Sequence, residues 1–257
     1  MPARSRPASH PGRARLDTLL VERGLAPTRE RARRLVMARQ VFVDNQPVDK
    51  PGSLVKRTAA VEVRGSDIAY VSRGGVKLAA ALEAWPIPVR DCVALDAGAS
   101  TGGWTDCLLQ HGARRVYAVD VGYGQFAWTL RNDPRVTLYE RANIRSFAAH
   151  FDEPPMVVVA DVSFISLRLV LPKLIELAAP AATFVLLVKP QFEVGKGLVG
   201  KGGVVRDPAL HRSAIDAVRA RAEELDLTCR GEMESPIQGP AGNREFLLWL
   251  EKGASLV

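Results

Sequence analysis

LDAGASTGGWTD, residues 95–106, sets three glycines, flanked by Asp96 and Asp106, where the apolar run VALDA at 93–97 gives way to a helical pattern at 103–111. A glycine-rich turn from strand to helix is the signature of a β-α unit. The pattern repeats along the rest of the chain. Strands are expected at 116–120 (VYAVD), 136–140 (VTLYE), 156–161 (MVVVAD) and 183–190 (TFVLLVKP), and helices at 74–85, 124–131, 166–178 and 208–225. Asp207 and Pro208 supply the cap and first turn of the last helix. CRGEMESPI (229–237) and REFLLWLE (244–251) read as an antiparallel pair added at the sheet edge. Alternation of this kind specifies an α/β domain with a doubly wound parallel sheet, which binds ligands outside the C-terminal ends of its strands. Asp96, Asp120, Asp161 and Lys189 all stand at such ends.

The 257 residues are 47% hydrophobic and 25% charged, enough for one large domain and a small one. No apolar stretch reaches the roughly 18 to 20 residues of a membrane span, and the basic, proline-rich start is followed by no apolar segment of a signal peptide. Cys92, Cys107 and Cys229 lie far apart without paired metal spacing, which fits free thiols near the core in a reducing compartment. The expectation is a cytoplasmic monomer without a metal. The net charge of +7 is concentrated: residues 1–65 hold 14 Lys/Arg against 6 Asp/Glu, and residues 66–257 hold 21 against 22. A local surplus of this kind suits a polyanion such as RNA, or equally a solvated surface.

The basic quarter has its own pattern. After a tail at 1–14 expected to be disordered, RLDTLLVERG places Leu16, Leu19 and Leu20 at helical spacing with Gly24 as stop, and LAPTRERARRLVMARQ starts a second helix capped by Thr28. VFVDNQPV (41–48) is an alternating strand broken by an Asp-Asn turn, and TAAVEVRG (58–65) is a further short strand. Arg29, Arg31, Arg33 and Arg34 cannot all face a core, so the second helix carries a basic face. Residues 15–64 resemble the alpha-L RNA-binding domain, shared by a small-subunit ribosomal protein, pseudouridine synthases and tyrosyl-tRNA synthetases. The resemblance implies RNA contacts through this face and Arg15. One departure is ARQ at 38–40, where such modules usually carry a glycine and the turn is expected to be less tight. Residues 65–71 form the expected linker, and the sheet domain is expected over 72–252.

The loop at 95–106 admits three chemistries. A dinucleotide fingerprint needs G-x-G-x-x-G, which Gly98, Ser100, Gly102 and Gly103 do not supply, and Asp96 would repel a pyrophosphate. Gly98-Ala99-Ser100-Thr101-Gly102 satisfies the nucleophile elbow G-x-S-x-G, with Asp161 and His211 following in triad order. Against it, His211 falls inside a predicted helix and Lys189 would have no task. The third chemistry is binding of S-adenosylmethionine, whose ammonium and sulfonium make an acidic strand end an asset. Gly98, Gly102 and Gly103 permit close approach of the backbone, and Asp120, 24 residues after Asp96, can accept two ribose hydroxyls.

DAGASTGGWTD, AVDVGYGQFAWTLRNDPRV, VVADVSFISL, LVKPQFEVGKG and GPAGNREFLLWL, with VSRGGVKL, together resemble the TlyA family of ribosomal RNA 2'-O-methyltransferases over about residues 15–252. That family joins an alpha-L domain to a Rossmann-like methyltransferase domain similar to FtsJ/RrmJ. The resemblance implies a catalytic tetrad on Lys77, Asp161, Lys189 and Glu245. A ribose hydroxyl is a poor nucleophile at neutral pH; a nearby lysine stabilises the developing alkoxide or, if burial lowers its pKa, takes the proton. Asp161 would position Lys189, and Lys77 and Glu245 would orient the ribose, leaving in-line transfer of the methyl mostly to positioning. The resemblance further implies cofactor contacts through Gly102, Trp104, Asp120 and the segment at Asn143, to which the loop's own chemistry adds Asp96, Gly98, Ser100 and Gly103. Arg73, Arg206 and Lys196 could meet the RNA backbone or equally be solvated charges, and the resemblance implies cytidine of rRNA in assembled subunits as substrate. Family members that modify both subunits usually extend further beyond the position of Trp249, which leaves restriction to the large subunit open beside modification of both.

Each residue has a plainer role to set against this one. By pattern alone Lys77 flanks the apolar face of its helix as a surface lysine, Asp161 caps the next helix, Glu245 starts an edge strand and Trp104 is core. Two other functions stay open: an RNA-binding assembly factor with a silent methyltransferase fold, and a haemolysin-like lytic protein. The complete tetrad speaks against the first and the lack of an apolar segment against the second. Calorimetry with S-adenosylmethionine separates them from an enzyme.

Overall fold

The computed structural model describes residues 12–26, 28–37, 39–63, 69–148 and 150–253. The chain divides into two compact units, Met1–Asp67 and Ile68–Val257.

The first unit runs β1 (Arg13–Arg15), α1 (Leu16–Glu22), α2 (Arg29–Met37), β2 (Val41–Val43), β3 (Gln46–Pro47), β4 (Leu54–Lys56) and β5 (Val61–Val63). Leu16, Leu20, Ala32, Leu35, Val36 and Val41 form its buried core. The backbone turns left-handed at Gly24 (φ 70°) directly after α1. The Thr28 hydroxyl accepts from the Arg31 amide at 3.1 Å, the expected cap of α2. Asp44 and Asn45 both take positive φ, the turn that a right-twisted two-residue hairpin requires between β2 and β3. Arg39 adopts φ 57°, and the Arg39 and Gln40 amides bond back to the Val36 and Leu35 carbonyls at 2.9 and 3.0 Å, a close of α2 made without glycine at a cost of about 1 kcal/mol.

One feature of this unit and one at the start of the next differ from the expectation. Arg13 and Ala14, assigned to the disordered tail, form β1 and pair antiparallel with β4, which the pattern also missed. Residues 1–11 of that tail, and 64–68 around the expected linker, lie outside the described residues. Ala69–Val71 are fastened rather than free: the Val71 amide donates to Asp106 Oδ2 at 2.7 Å, and Gln110 Nε2 to the Ala69 carbonyl at 2.9 Å.

The second unit contains α3 (Gly74–Ala84), β6 (Val93–Ala97), α4 (Gly103–Gln110), β7 (Arg115–Val119), α5 (Trp128–Arg131), β8 (Val136–Tyr139), β9 (Val157–Ala160), α6 (Leu167–Leu177), β10 (Thr183–Val188), α7 (Pro190–Glu193), α8 (Pro208–Glu223), β11 (Leu227–Glu234) and β12 (Phe246–Lys252). The seven strands lie in the order β11-β12-β10-β9-β6-β7-β8. β10, β9, β6, β7 and β8 are parallel, and β12 and β11 close one side antiparallel. Period-two alternation splits the strand residues between two cores. Leu95, Val119, Val158, Leu186 and Leu248 face α6 and α8. Ala94, Ala118, Val159, Leu187 and Leu247 face α3 and α4. Both faces are covered, which is why the central strands read as continuous apolar runs. Asp207 caps α8 through the Ala209 amide at 2.8 Å.

The helix expected at 124–131 is reduced to α5. Gly124 takes φ 73°, and the Ala127 amide bonds to the Thr101 carbonyl at 3.1 Å, so this segment is fastened to the glycine loop instead of continuing a helix. The chain runs outward from β6 through β7 to β8 and returns to β9 on the other side of β6. That reversal opens the crevice in which sheets of this type bind ligands.

Candidate functional site

The crevice is built first by glycines. Gly98 follows β6 with φ 87°, and a Cβ there would stand 2.6 Å from the Asp161 carbonyl oxygen, so the loop can lie against the end of β9 only without a side chain. Gly102 (φ 95°) begins α4 packed on Phe126 and Leu130. Gly103 lets α4 approach Ser72 and Gly75 at the start of α3. Ser100 is left-handed at φ 49° and its amide donates to Asp120 Oδ2 at 2.8 Å. Gly122 N and Gln125 Nε2 donate to the other Asp120 oxygen at 2.6 and 3.0 Å. Asp120 thus braces the glycine loop against the turn after β7.

Asp96 is fully buried, with Thr105 Oγ1 donating to Oδ2 at 2.6 Å while Oδ1 has no hydrogen-bond partner. Burial pushes its carboxyl up to about 7, against the Thr105 hydrogen bond and with the neighbouring charges of Asp161 and Asp120 adding to the rise.

Two cavities meet over this loop. The larger, about 880 Å³, is lined by Gly98, Ser100, Asp120, Asn143, Asp161 and Phe164, among others. The smaller, about 400 Å³, is lined by Lys77, Asp161, Lys189 and Glu245, and by Arg73, Gly98, Ser100, Gly103 and Trp104. Gly98, Ser100, Asp161 and Ser163 belong to both. Asp96 lines neither, and Gly102 supports the loop from behind.

The four tetrad positions converge as two ion pairs. Lys77 Nζ stands 2.6 Å from Glu245 Oε2, with side chains 9% and 1% exposed. Lys189 Nζ stands 2.5 Å from Asp161 Oδ1, with side chains 10% and 19% exposed. The plainer roles fail at three positions. Lys77 is buried. Ser166, not Asp161, caps α6 by accepting from the Arg168 amide at 3.2 Å. Glu245 leads into β12, which is an inner strand. Trp104 is both core and lining, 3% exposed in the cluster under α3 and α4.

The nucleophile elbow fails on geometry. His211 is buried in α8, its Nε2 on the Val205 carbonyl at 2.8 Å, and lines neither cavity.

Three residues carry the site without having been singled out. Ser163 accepts from Lys189 Nζ at 2.7 Å. Glu193 accepts from Ser166 Oγ at 2.5 Å and from the Leu167 amide at 2.7 Å. Burial raises the Glu193 carboxyl, with Ser166, Leu167 and Arg168 partly offsetting the rise. Asn243 accepts from Val205 N at 2.9 Å and donates to the Gly203 carbonyl at 2.8 Å, holding the glycine-rich loop 195–203 two residues before Glu245. Their signal was spacing: Ser163 is two residues past Asp161, and Glu193 four past Lys189.

In the first unit, Asp17 is fully buried and receives Arg15 Nε and Nη2 at 3.0 Å and Arg29 Nε at 3.1 Å. Burial works to raise the Asp17 carboxyl, and the two guanidiniums outweigh it and hold it low. Arg34 stands 3.5 Å from Glu30, and Arg33 is exposed. Arg31 is half-buried and Arg73 exposed at the start of α3. Among the described residues there is no group of three or more His, Cys, Asp or Glu placed to hold a metal, and no helix long and apolar enough to cross a membrane.

Residues 70–252 match the pattern of FtsJ-like methyltransferases, and residues 14–61 that of the S4 domain. The chain is 52% identical over 240 residues to the 16S/23S rRNA (cytidine-2'-O)-methyltransferase TlyA of Mycobacterium tuberculosis, covering 93% of this chain and 90% of that one. It is 39% identical to Hemolysin A of Brachyspira hyodysenteriae over 91% of this chain and 98% of that one. A solved structure named for a hemolysin of Streptococcus thermophilus aligns with a TM-score of 0.74 at 42% identity, covering 95% of this chain and 90% of that one.

Proposed function

The chain belongs to the FtsJ-like methyltransferase family, in the TlyA branch that carries an S4 domain, and on that premise we propose that it methylates the ribose 2'-hydroxyl of cytidine in ribosomal RNA with S-adenosylmethionine. The observation that carries this reading is the cavity of about 400 Å³ in which two lysine-carboxylate pairs face a glycine loop.

The residues present fit the cationic cofactor. Asp96, fully buried behind the loop and lining neither cavity, would act on the cofactor by charge and not by the contact expected of it, while Gly98 brings bare backbone to the cavity wall. Gly98, Ser100, Asp120 and Asn143 would hold the cofactor in the larger cavity, with Gly102, Gly103 and Trp104 shaping the loop. When bound, S-adenosylmethionine supplies a methyl group on a positively charged sulfur. The chain's own residues do the rest. Lys189, anchored on Asp161, stabilises negative charge as it develops on the ribose oxygen, an effect strengthened where water is excluded. The Lys77–Glu245 pair offers a donor and an acceptor in the same cavity to orient the sugar hydroxyls.

The positive surplus of residues 1–65 supports binding of rRNA through Arg15, Arg29, Arg31, Arg33 and Arg34, with Arg73 at the mouth of the smaller cavity. The enzyme would act as a cytoplasmic monomer on assembled ribosomal subunits. The test is transfer of labelled methyl to purified small and large subunits, followed by digestion to nucleosides. Label in 2'-O-methylcytidine from one or both subunits is the expected result. Label on a base, or none, overturns the proposal.

A further inference from the structure

Lys189 is 92% buried, with an exposure of 8%, so the direction of its ammonium is set by what surrounds it rather than by water. An ammonium has three N–H donors and no acceptor. Asp161 Oδ1 is close at 2.5 Å, yet this oxygen has no partner in hydrogen-bond geometry, so Asp161 contributes charge more than direction. The directional bond goes to Ser163 Oγ at 2.7 Å. Ser163 is itself held in place. Phe164, next in the chain, takes φ 65° and rests on Phe192 of α7 with ring centroids 5.2 Å apart. Glu193, at the end of α7, binds Ser166 and the Leu167 amide. The loop after β9 is therefore fastened at three points to the segment 189–193 that carries Lys189.

The geometry points to Ser163 as a positioning residue for the transfer: its hydroxyl fixes the rotation of the Lys189 ammonium so that an uncommitted N–H faces the cavity shared with Lys77 and Glu245. This rests on the reading of Lys189 given under the proposed function. Asp161 alone holds the charge but leaves the ammonium free to turn, and a donor that misses the reacting oxygen stabilises it poorly. Ser163 lies on an exposed turn, so loss of its hydroxyl opens no hole in the core.

The test compares Ser163→Ala, Ser163→Thr and Ser163→Val in the full chain, with purified ribosomal subunits and S-adenosylmethionine, and Lys189→Ala in parallel. Thr and Val have the same shape and differ in the hydroxyl. Ser163→Ala and Ser163→Val are expected to lower kcat about tenfold, with KM for S-adenosylmethionine within about twofold of wild type and an unchanged Tm. Ser163→Thr is expected to restore kcat to within about threefold. Wild-type kcat in both Ala and Val variants overturns the inference, as does an equal loss in Thr and Val. If wild type transfers no methyl, or Lys189→Ala is fully active, the reading of Lys189 fails first, and the two failures are distinguishable.

Discussion

In the first unit one buried acid, Asp17, is shared by Arg15 and Arg29, whose side chains remain 48% and 58% exposed. In the second, each of two nearly buried lysines has an acid of its own inside a cavity. The first arrangement leaves guanidinium donors turned to solvent, as a surface that binds phosphates by charge requires. The second removes the cations from water and confines them to fixed directions, which is of little use for affinity but of value where charge must be stabilised at one atom. On the proposed function, the same pairing of basic and acidic side chains would serve capture in one unit and chemistry in the other.

Breaking the more buried pair should have the largest effect on the fold. Lys77→Met leaves Glu245 buried without its cation and is expected to destabilise the chain by about 3–5 kcal/mol in urea unfolding. Arg15→Met, whose loss leaves Asp17 still bound by Arg29, should cost much less. Gly98→Ala is next. It forces an L side chain to φ 87° and against the Asp161 carbonyl, and should cost about 2 kcal/mol while weakening S-adenosylmethionine binding at least about tenfold by calorimetry.

Asp96 gives the comparison a pH axis. Its folded value of about 7 lies above the ordinary 3.8, so its contribution to stability is complete below pH 3.8 and is lost as pH rises through about 7. Asp96→Asn should therefore gain stability relative to wild type as pH climbs across that window, read as Tm at each pH. A cationic cofactor favours the ionised form, so its affinity for wild type should rise over the same window and that of Asp96→Asn should stay flat. The smallest effect belongs to the basic face. Arg33→Ala should lower the slope of log affinity for rRNA against log salt by about 1 and leave kcat unchanged.

Much of the second unit was legible because its strands are covered on both faces. Val93–Ala97 and Thr183–Val188 stand out as apolar runs for that reason. The acids and Lys189 were legible as strand ends. The burial of Lys77 was not, since its partner Glu245 lies 168 residues away and local pattern sees only one side of the pair. The pairing of β1 with β4 escaped for the same cause: three residues on each side, joined across the whole unit, have no periodicity of their own. Trp128–Arg131 was overread as a longer helix because the bond from Ala127 to the glycine loop is tertiary. Ser163 was within a recognised motif, but only the folded loop shows that its hydroxyl meets Lys189.

If Lys189 serves the reaction rather than cofactor binding, its loss separates the two in single-turnover methyl transfer by Lys189→Ala, with S-adenosylmethionine affinity measured on the same preparation. The expected result is transfer slowed about 10³-fold or more with cofactor affinity within about threefold of wild type. Transfer within about tenfold of wild type, or a loss accounted for by weaker cofactor binding, would contradict it.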